Sequence, residues 1–240
     1  RPYIVAELSA NHGNSLDIAL KTVHEAKLAG ADAIKLQTYT ADSITFNHKS
    51  EIFKINQGTV WDGEYLYDLY EKAHMPWEWH EPIFKLAKEL GLDCFSSPFS
   101  PEAVDYLKKF NPPAYKIASF EITDIPLIKY VAKQNKPIII STGIANEEDI
   151  KLALDACRQV GNSKVILLKC TSAYPAPIDS LQLRLIPIMR KQFKTLVGLS
   201  DHSKGIIAPA IATSLNAVFI EKHFILDKSV GGPDAHFSLE

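Results

Sequence analysis

Short apolar runs and amphipathic segments alternate along the whole chain. The runs cover residues 3–8, 33–38, 93–98, 114–119, 137–142, 165–170, 196–201 and 218–224. They carry Ile, Val and Leu at successive positions, the pattern of strands buried on both faces of a parallel sheet. Between them the apolar residues change to a helical period. Leu16, Ala19, Leu20, Val23 and Ala26 form one stripe, which ends before Gly30. Ile150, Ala153, Leu154 and Cys157 form another, between Asn146 as N-cap and Gly161 as stop. Further helices are predicted over 82–90, 101–110, 126–134, 181–192 and 206–214. Residues 40–79 break the rhythm with Phe46, Phe53, Trp61, Tyr65, Tyr67 and Tyr70. So aromatic a stretch is expected to cover a site, with a short helix near 64–73.

Eight strands joined by seven crossovers predict an α/β fold, a (β/α)8 TIM barrel forming one domain over 1–240. The spacing of 240/8 = 30 residues per unit agrees with a barrel of about 250 residues. A doubly wound open sheet is the alternative, and no GxGxxG follows any strand to favour it. The chain reaches Glu240 with no eighth helix and starts at Arg1 without a methionine. Both features lead us to expect a piece of a longer protein.

Charge narrows the function. Lysine plus arginine is 26 and aspartate plus glutamate 28, a net charge of 26 − 28 = −2. That balance argues against nucleic-acid binding and against a polybasic membrane surface. No apolar run reaches the ~18 residues of a membrane span, and no signal pattern opens the chain. Cys94, Cys157 and Cys170 form neither a disulfide framework nor a CxxC motif, which suits a reducing cytoplasm.

In a barrel the chemistry collects at the C-terminal ends of the strands. Those ends carry Glu7, Asn11 and His12; Lys35 and Gln37; Ser96 and Ser97; Lys116, Ser119 and Glu121; Ser141 and Thr142; Lys169, Thr171, Ser172 and Tyr174; Ser200, Asp201 and His202; Glu221, Lys222 and His223. A single hydroxyl there needs no function, because a loop follows. The lysines are different. Lys35 lies inside Ala-Ile-Lys-Leu-Gln and Lys116 inside Ala-Tyr-Lys-Ile-Ala, where an unpaired charge is costly. Inward lysines among hydroxyls make an anion pocket, most simply for phosphate; a Schiff-base lysine is the rival use. His202 and His223 end consecutive strands. A lone histidine is more often structural, but a pair on adjacent strands, with Glu7, Glu121 or Asp234 nearby, can hold a divalent metal. Cys170 reads as core, and Trp77 and Trp79 as packing. His24, His48, His74 and His80 are placed on helix or loop surface without a role. The turn-rich tail 231–240 is expected over the rim.

Several ordered blocks together resemble the sialic acid synthase family. They are Ala6-Glu7-Leu8-Ser9-Ala10-Asn11-His12-Gly13, Lys35-Leu36-Gln37-Thr38, Ser97-Pro98-Phe99, Pro113-Ala114-Tyr115-Lys116-Ile117-Ala118-Ser119, Ser141-Thr142-Gly143, Tyr174-Pro175, Gly198-Leu199-Ser200-Asp201-His202, Glu221-Lys222-His223-Phe224 and Gly232-Pro233-Asp234. The likeness runs from Tyr3 to Glu240. Within the family, Gln57-Gly58-Thr59-Val60-Trp61-Asp62, Leu69-Tyr70-Glu71-Lys72-Ala73 and Phe237-Ser238 look most like pseudaminic acid synthases.

The resemblance implies condensation of phosphoenolpyruvate with an open-chain N-acetylated hexose, using Mn²⁺ or Mg²⁺. The products are a nine-carbon 2-keto acid and phosphate. It implies that Lys35, Ser97, Lys116, Ser119, Ser141, Ser172 and Ser200 hold phosphoenolpyruvate. The family often has asparagine where Ser172 stands. His202 and His223 would bind the metal, and Glu7, Asn56, Tyr174 and Asp234 the sugar. Glu7, Lys35, Lys116, His202 and His223 would carry the catalysis. A 6-deoxy sugar suits the aromatic loop and Phe237, since apolar neighbours fit a less polar carbon 6. The resemblance also implies a homodimer in which a C-terminal antifreeze-like domain, beyond Glu240, supplies an arginine to the partner's site. Neuraminic or legionaminic acid synthesis is the nearest alternative. A metal-dependent barrel aldolase or isomerase, or a non-catalytic sugar-phosphate binding protein, is the alternative of another type.

Overall fold

The computed structural model describes residues 1–56, 58 and 61–240. Gln57, Thr59 and Val60, part of one family-like block, lie outside the described residues. Eight parallel strands close into a barrel in chain order, with β8 returning to β1. They are β1 Tyr3–Glu7, β2 Ala33–Thr38, β3 Asp93–Pro98, β4 Tyr115–Ile117, β5 Ile138–Ser141, β6 Val165–Cys170, β7 Leu196–Asp201 and β8 Phe219–His223. Every apolar run in the sequence is one of these strands.

The helices follow their caps. Ser15 accepts from the Ile18 N–H ahead of α1 (Leu16–Leu28). A short helix, α2 (Ala41–Ile44), was not expected; α3 (Leu66–Ala73) was. Next come α4 (His80–Glu89), α5 (Pro101–Lys108) and α6 (Ile125–Ala132). Asn146 and Asp149 close a reciprocal cap on α7 (Glu147–Gln159). Helix α8 (Leu185–Phe193) starts later than the predicted 181, because Gln182 takes a left-handed φ of 44° that no helix continues through. Helix α9 is Ile207–Ser214. The aromatic stretch folds back on the barrel: Tyr39 meets Tyr70 and Phe99 edge-on, at centroid distances of 5.9 and 5.3 Å.

Alternation along each strand sorts the side chains. Val5, Ala33, Phe95, Ile139, Leu168 and Phe219 fill the barrel interior as an apolar plug. One step further along the same faces come Glu7, Lys35, Ser97, Ser141, Cys170 and Glu221. The plug therefore becomes the floor of a polar mouth. The other faces pack against the helices.

One expectation fails here. His80, placed on the surface by sequence, is fully buried at the start of α4. Its Nδ1 donates to the Trp77 carbonyl at 3.1 Å. A carbonyl only accepts, so Nε2 carries the lone pair and accepts from Thr38 Oγ1 at 2.8 Å. Thr38 in turn accepts from Ser96 Oγ at 2.6 Å. The outward hydroxyls of β2 and β3 need a buried partner, and the histidine supplies it. Burial pushes this imidazole down to about 4. The unfolded chain takes up the proton near pH 6.5, so acidification favours unfolding between about 6.5 and 4. The group should remove up to about 3 kcal/mol of stability across that window. His80→Gln should flatten that part of a pH series of urea melts; an unchanged slope would assign the acid sensitivity elsewhere.

Candidate active site at the barrel mouth

Two lysines and two glutamates meet at the mouth. Lys35 Nζ lies 2.6 Å from Glu7 Oε2 and 3.8 Å from Glu221 Oε2, and donates to Ser97 Oγ at 3.2 Å. Lys116 Nζ lies 3.4 Å from Glu221 Oε1, which also accepts from Ser200 Oγ at 3.0 Å. Gln37 Nε2 donates to Glu7 Oε1 and to Ser9 Oγ, both at 3.0 Å. The lysines and glutamates are all buried.

Burial and pairing divide these groups. Burial pushes the Glu221 carboxyl up, but Lys116, Lys35 and the Ser200 hydroxyl outweigh it and hold it at about 2. Burial pulls Lys35 down, and Glu221 with Glu7 outweighs it, keeping the ammonium above its ordinary value. For Lys116 burial wins and the ammonium falls below its ordinary value. For Glu7 burial also wins and the carboxyl rises. Lys116 is therefore the under-compensated cation, and an incoming anion would stabilise its charge. Glu221 stands among the strand ends in the sequence but was given no role. Its signal is position: two residues before His223, it must share that residue's inward face.

Hydroxyls and one backbone N–H line the wall opposite. Ser119 Oγ accepts from Gly143 N at 2.8 Å. Ser141 Oγ is buried with no hydrogen-bond partner. A Cβ on Gly143 would lie 2.1 Å from Ser172 Oγ and 2.6 Å from Ser119 Oγ. Glycine is needed there because two hydroxyls converge on its backbone. The cluster can donate to an oxyanion.

The two histidines stand beside this pocket. Their ring centroids are 5.3 Å apart. Tyr174 packs on His202 at 4.4 Å and Phe237 on His223 at 4.8 Å. Trp61 reaches Tyr174 at 6.2 Å. Asp234 Oδ2 lies 3.4 Å from His223 Nδ1. The tail is held over the rim by Asn11, whose Nδ2 donates to the Phe224 carbonyl at 3.0 Å and to Ser238 Oγ at 2.8 Å. Cys170, read as core, is buried against His202, with Sγ 3.8 Å from Nδ1. Burial pushes its thiol up, and His202, with Ser119 and Lys116, outweighs this to bring it down to about 7.

The model that describes the NeuB family matches residues 22–240 of this chain. The chain belongs to the NeuB family. It is 51% identical over 238 residues to a pseudaminic acid synthase of Campylobacter jejuni, covering 99% of this chain and 69% of that protein. It is 50% identical to the pseudaminic acid synthase of Helicobacter pylori, covering 100% of this chain and 70% of that protein. An N-acetylneuraminic acid synthetase of Leptospira borgpetersenii superposes with a TM-score of 0.89 at 29% identity, over 100% of this chain and 79% of that one.

With the NeuB membership in place, the predicted site residues sort by geometry. Lys35, Ser97, Lys116 and Ser200 meet at one ion-pair network with Glu7 and Glu221, and Ser119 and Ser172 meet at Gly143. Glu7 is tied to Lys35 rather than to the histidines. Asn56 is exposed on the long loop; among the described residues of that loop, Trp61 reaches Tyr174. Glu121 lies within electrostatic reach of Lys116, and burial pushes its carboxyl up to about 7.

The donors fit a divalent cation in part. His202 Nδ1 donates to the Thr171 carbonyl at 3.1 Å, which leaves the Nε2 lone pair free. His223 Nδ1 is buried with Asp234 Oδ2 as its polar neighbour at 3.4 Å. Among the described residues, no three His, Cys, Asp or Glu side chains already stand at metal-ligand spacing. The two imidazoles would hold the ion, with substrate or water completing its shell.

Proposed function

We propose that this chain condenses phosphoenolpyruvate with a 6-deoxy N-acetylated hexose, 2,4-diacetamido-2,4,6-trideoxyaltrose, to give pseudaminic acid and phosphate. The observation that carries the sugar is the identity of 50–51% to pseudaminic acid synthases over nearly the whole chain. Legionaminic acid synthases reach 34–37% and a neuraminate-9-phosphate synthase 31%. Phe237, packed on both histidines at 4.8 and 6.2 Å, gives the sugar an apolar neighbour.

Lys35 and Lys116 hold the phosphate, and the Ser119, Ser141 and Ser172 hydroxyls complete its cradle, with Ser119 oriented by the Gly143 N–H. Preorganised charge of this kind is usually the largest catalytic contribution. Carbon 3 of phosphoenolpyruvate attacks the sugar aldehyde. Water then adds to the oxocarbenium at carbon 2, and the tetrahedral intermediate expels phosphate. Glu7, pinned by Lys35 and Gln37, orients a sugar hydroxyl or that water. Tyr174 and Asp234 flank the sugar. His202 and His223 would hold a Mn²⁺ or Mg²⁺ ion, which would supply Lewis acidity toward the aldehyde. We further propose a cytoplasmic homodimer. The three cysteines are free and buried, and Phe120, Ile144 and Ile178, exposed after β4, β5 and β6, offer an apolar contact near the mouth.

The test is phosphate release from phosphoenolpyruvate with Mn²⁺, with and without a chelator. Release with the trideoxy sugar and not with N-acetylmannosamine is the expected result. The reverse would keep the family and change the sugar. No release with either would sink the reading.

Gly143→Ala tests the cradle. Its new Cβ must displace Ser172 and Ser119. The KM for phosphoenolpyruvate should rise about tenfold or more, because a charge-assisted hydrogen bond contributes about 1.5–3 kcal/mol. The melting temperature should barely change, since flexible hydroxyls can move aside. An unchanged KM would remove Gly143 from the phosphate site.

A further inference from the structure

One further buried cation lies on the outer face of β6. Along β6, Leu168 belongs to the interior plug and Cys170 faces His202, so Lys169 between them points outward. Its outward neighbour Leu167 is core. Lys169 is only 9% exposed. Its ammonium donates to the Cys170 carbonyl and, at 3.3 Å, to Thr171 Oγ1. An ammonium has three N–H donors, so one is left over. Among the described residues, no carboxylate forms an ion pair with it. Lys35, Lys116 and Lys222, the other buried strand lysines, each have one.

Lys169 opens on a cleft of about 400 Å³ between β6, α7 and α8. The Gln182 amide lines it, Leu185 and Met189 form an apolar wall, and the Thr142 and Ser180 hydroxyls there already donate to the Leu168 and Pro177 carbonyls. The one acidic residue in the lining, Glu147, is paired with Lys151. Burying a charge without a counter-charge is costly, and here open space for an anion lies beside the one ammonium N–H left over. Burial also pulls the ammonium below its ordinary value, a cost that a bound anion would relieve.

We infer that this cleft is a second anion site, adjoining the barrel mouth across Gly143 and Cys170, that binds a small oxyanion (a phosphate or a carboxylate) on Lys169. The two sites share a wall. Lys169 holds Thr171 from outside, and the Thr171 carbonyl accepts from His202 on the inside. The inference does not depend on the proposed reaction.

The experiment titrates wild type, Lys169→Gln and Lys169→Arg with inorganic phosphate and, separately, with acetate. Isothermal calorimetry gives stoichiometry and affinity. Wild-type crystals soaked in selenate locate the anions by anomalous scattering. Wild type should show a selenate beside Lys169 Nζ. Lys169→Gln should lose that site or weaken it at least about tenfold, and Lys169→Arg should keep it. Loss confined to the phosphate or to the acetate titration assigns the anion class. The inference is overturned if wild type shows no selenate at Lys169, or if Lys169→Gln binds both anions as wild type does. Selenate missing from Lys35 and Lys116 would count against the proposed reaction alone.

Discussion

Lys35→Met should lower kcat/KM for phosphoenolpyruvate by about 10²- to 10³-fold. The ammonium is 2.6 Å from Glu7 and 3.8 Å from Glu221, and holds Ser97. Methionine keeps most of the volume and removes the charge. Truncating one partner of a buried, hydrogen-bonded charge pair costs about 2–5 kcal/mol, mostly through the partner left uncompensated. The stranded partners here are carboxylates, so they would also repel the incoming phosphate. The loss should therefore fall on binding as well as on turnover. Steady-state phosphate release measures it, with the melting temperature as the control for folding. Unchanged affinity for phosphoenolpyruvate would show that this is not the phosphate pocket.

Gly198→Ala should be the most damaging single methyl in the barrel. Gly198 lies in β7 beside β8. An added Cβ would lie 2.3 Å from the Phe219 carbonyl oxygen, 2.7 Å from Phe219 Cβ and 2.9 Å from Leu168 Cδ2. The first of these is backbone of a strand whose position is fixed by its pairing with both β7 and β1. No side-chain rotation relieves the contact, so the two strands must part or the plug must shift. Overpacking of a close-packed core costs about 1–3 kcal/mol, and more where backbone must move. At about 2–4 °C per kcal/mol for a chain of this size, 3 kcal/mol would lower the melting temperature by roughly 6–12 °C. Scanning calorimetry measures it; a drop under about 2 °C would refute the packing argument. The contrast with Gly143→Ala is physical. One methyl meets rigid backbone and should destabilise the barrel, while the other meets hydroxyls and should spoil binding.

The alternation of buried runs and striped segments determined the barrel. Four strands, β2, β3, β6 and β7, keep the boundaries that their apolar runs predict. A strand covered on both faces must be apolar throughout, and that requirement is written locally. The helices carry their own caps, as Ser15 and Asn146 show. Lys35 and Lys116 were conspicuous for the same reason, as charges inside apolar strands. What the sequence left open depends on residues far apart in the chain. His80 looked like surface until Thr38 and Ser96 closed on it. Asn56 and Trp61 share one loop, yet the tryptophan is the one that packs on Tyr174. Glu221 became the common partner of two lysines only when β8 closed the barrel beside β1. Periodicity says which face a side chain takes. Barrel closure decides which charges then meet, because desolvation and pairing act through space, across the 62 residues from Lys35 to Ser97 and the 227 from Asn11 to Ser238.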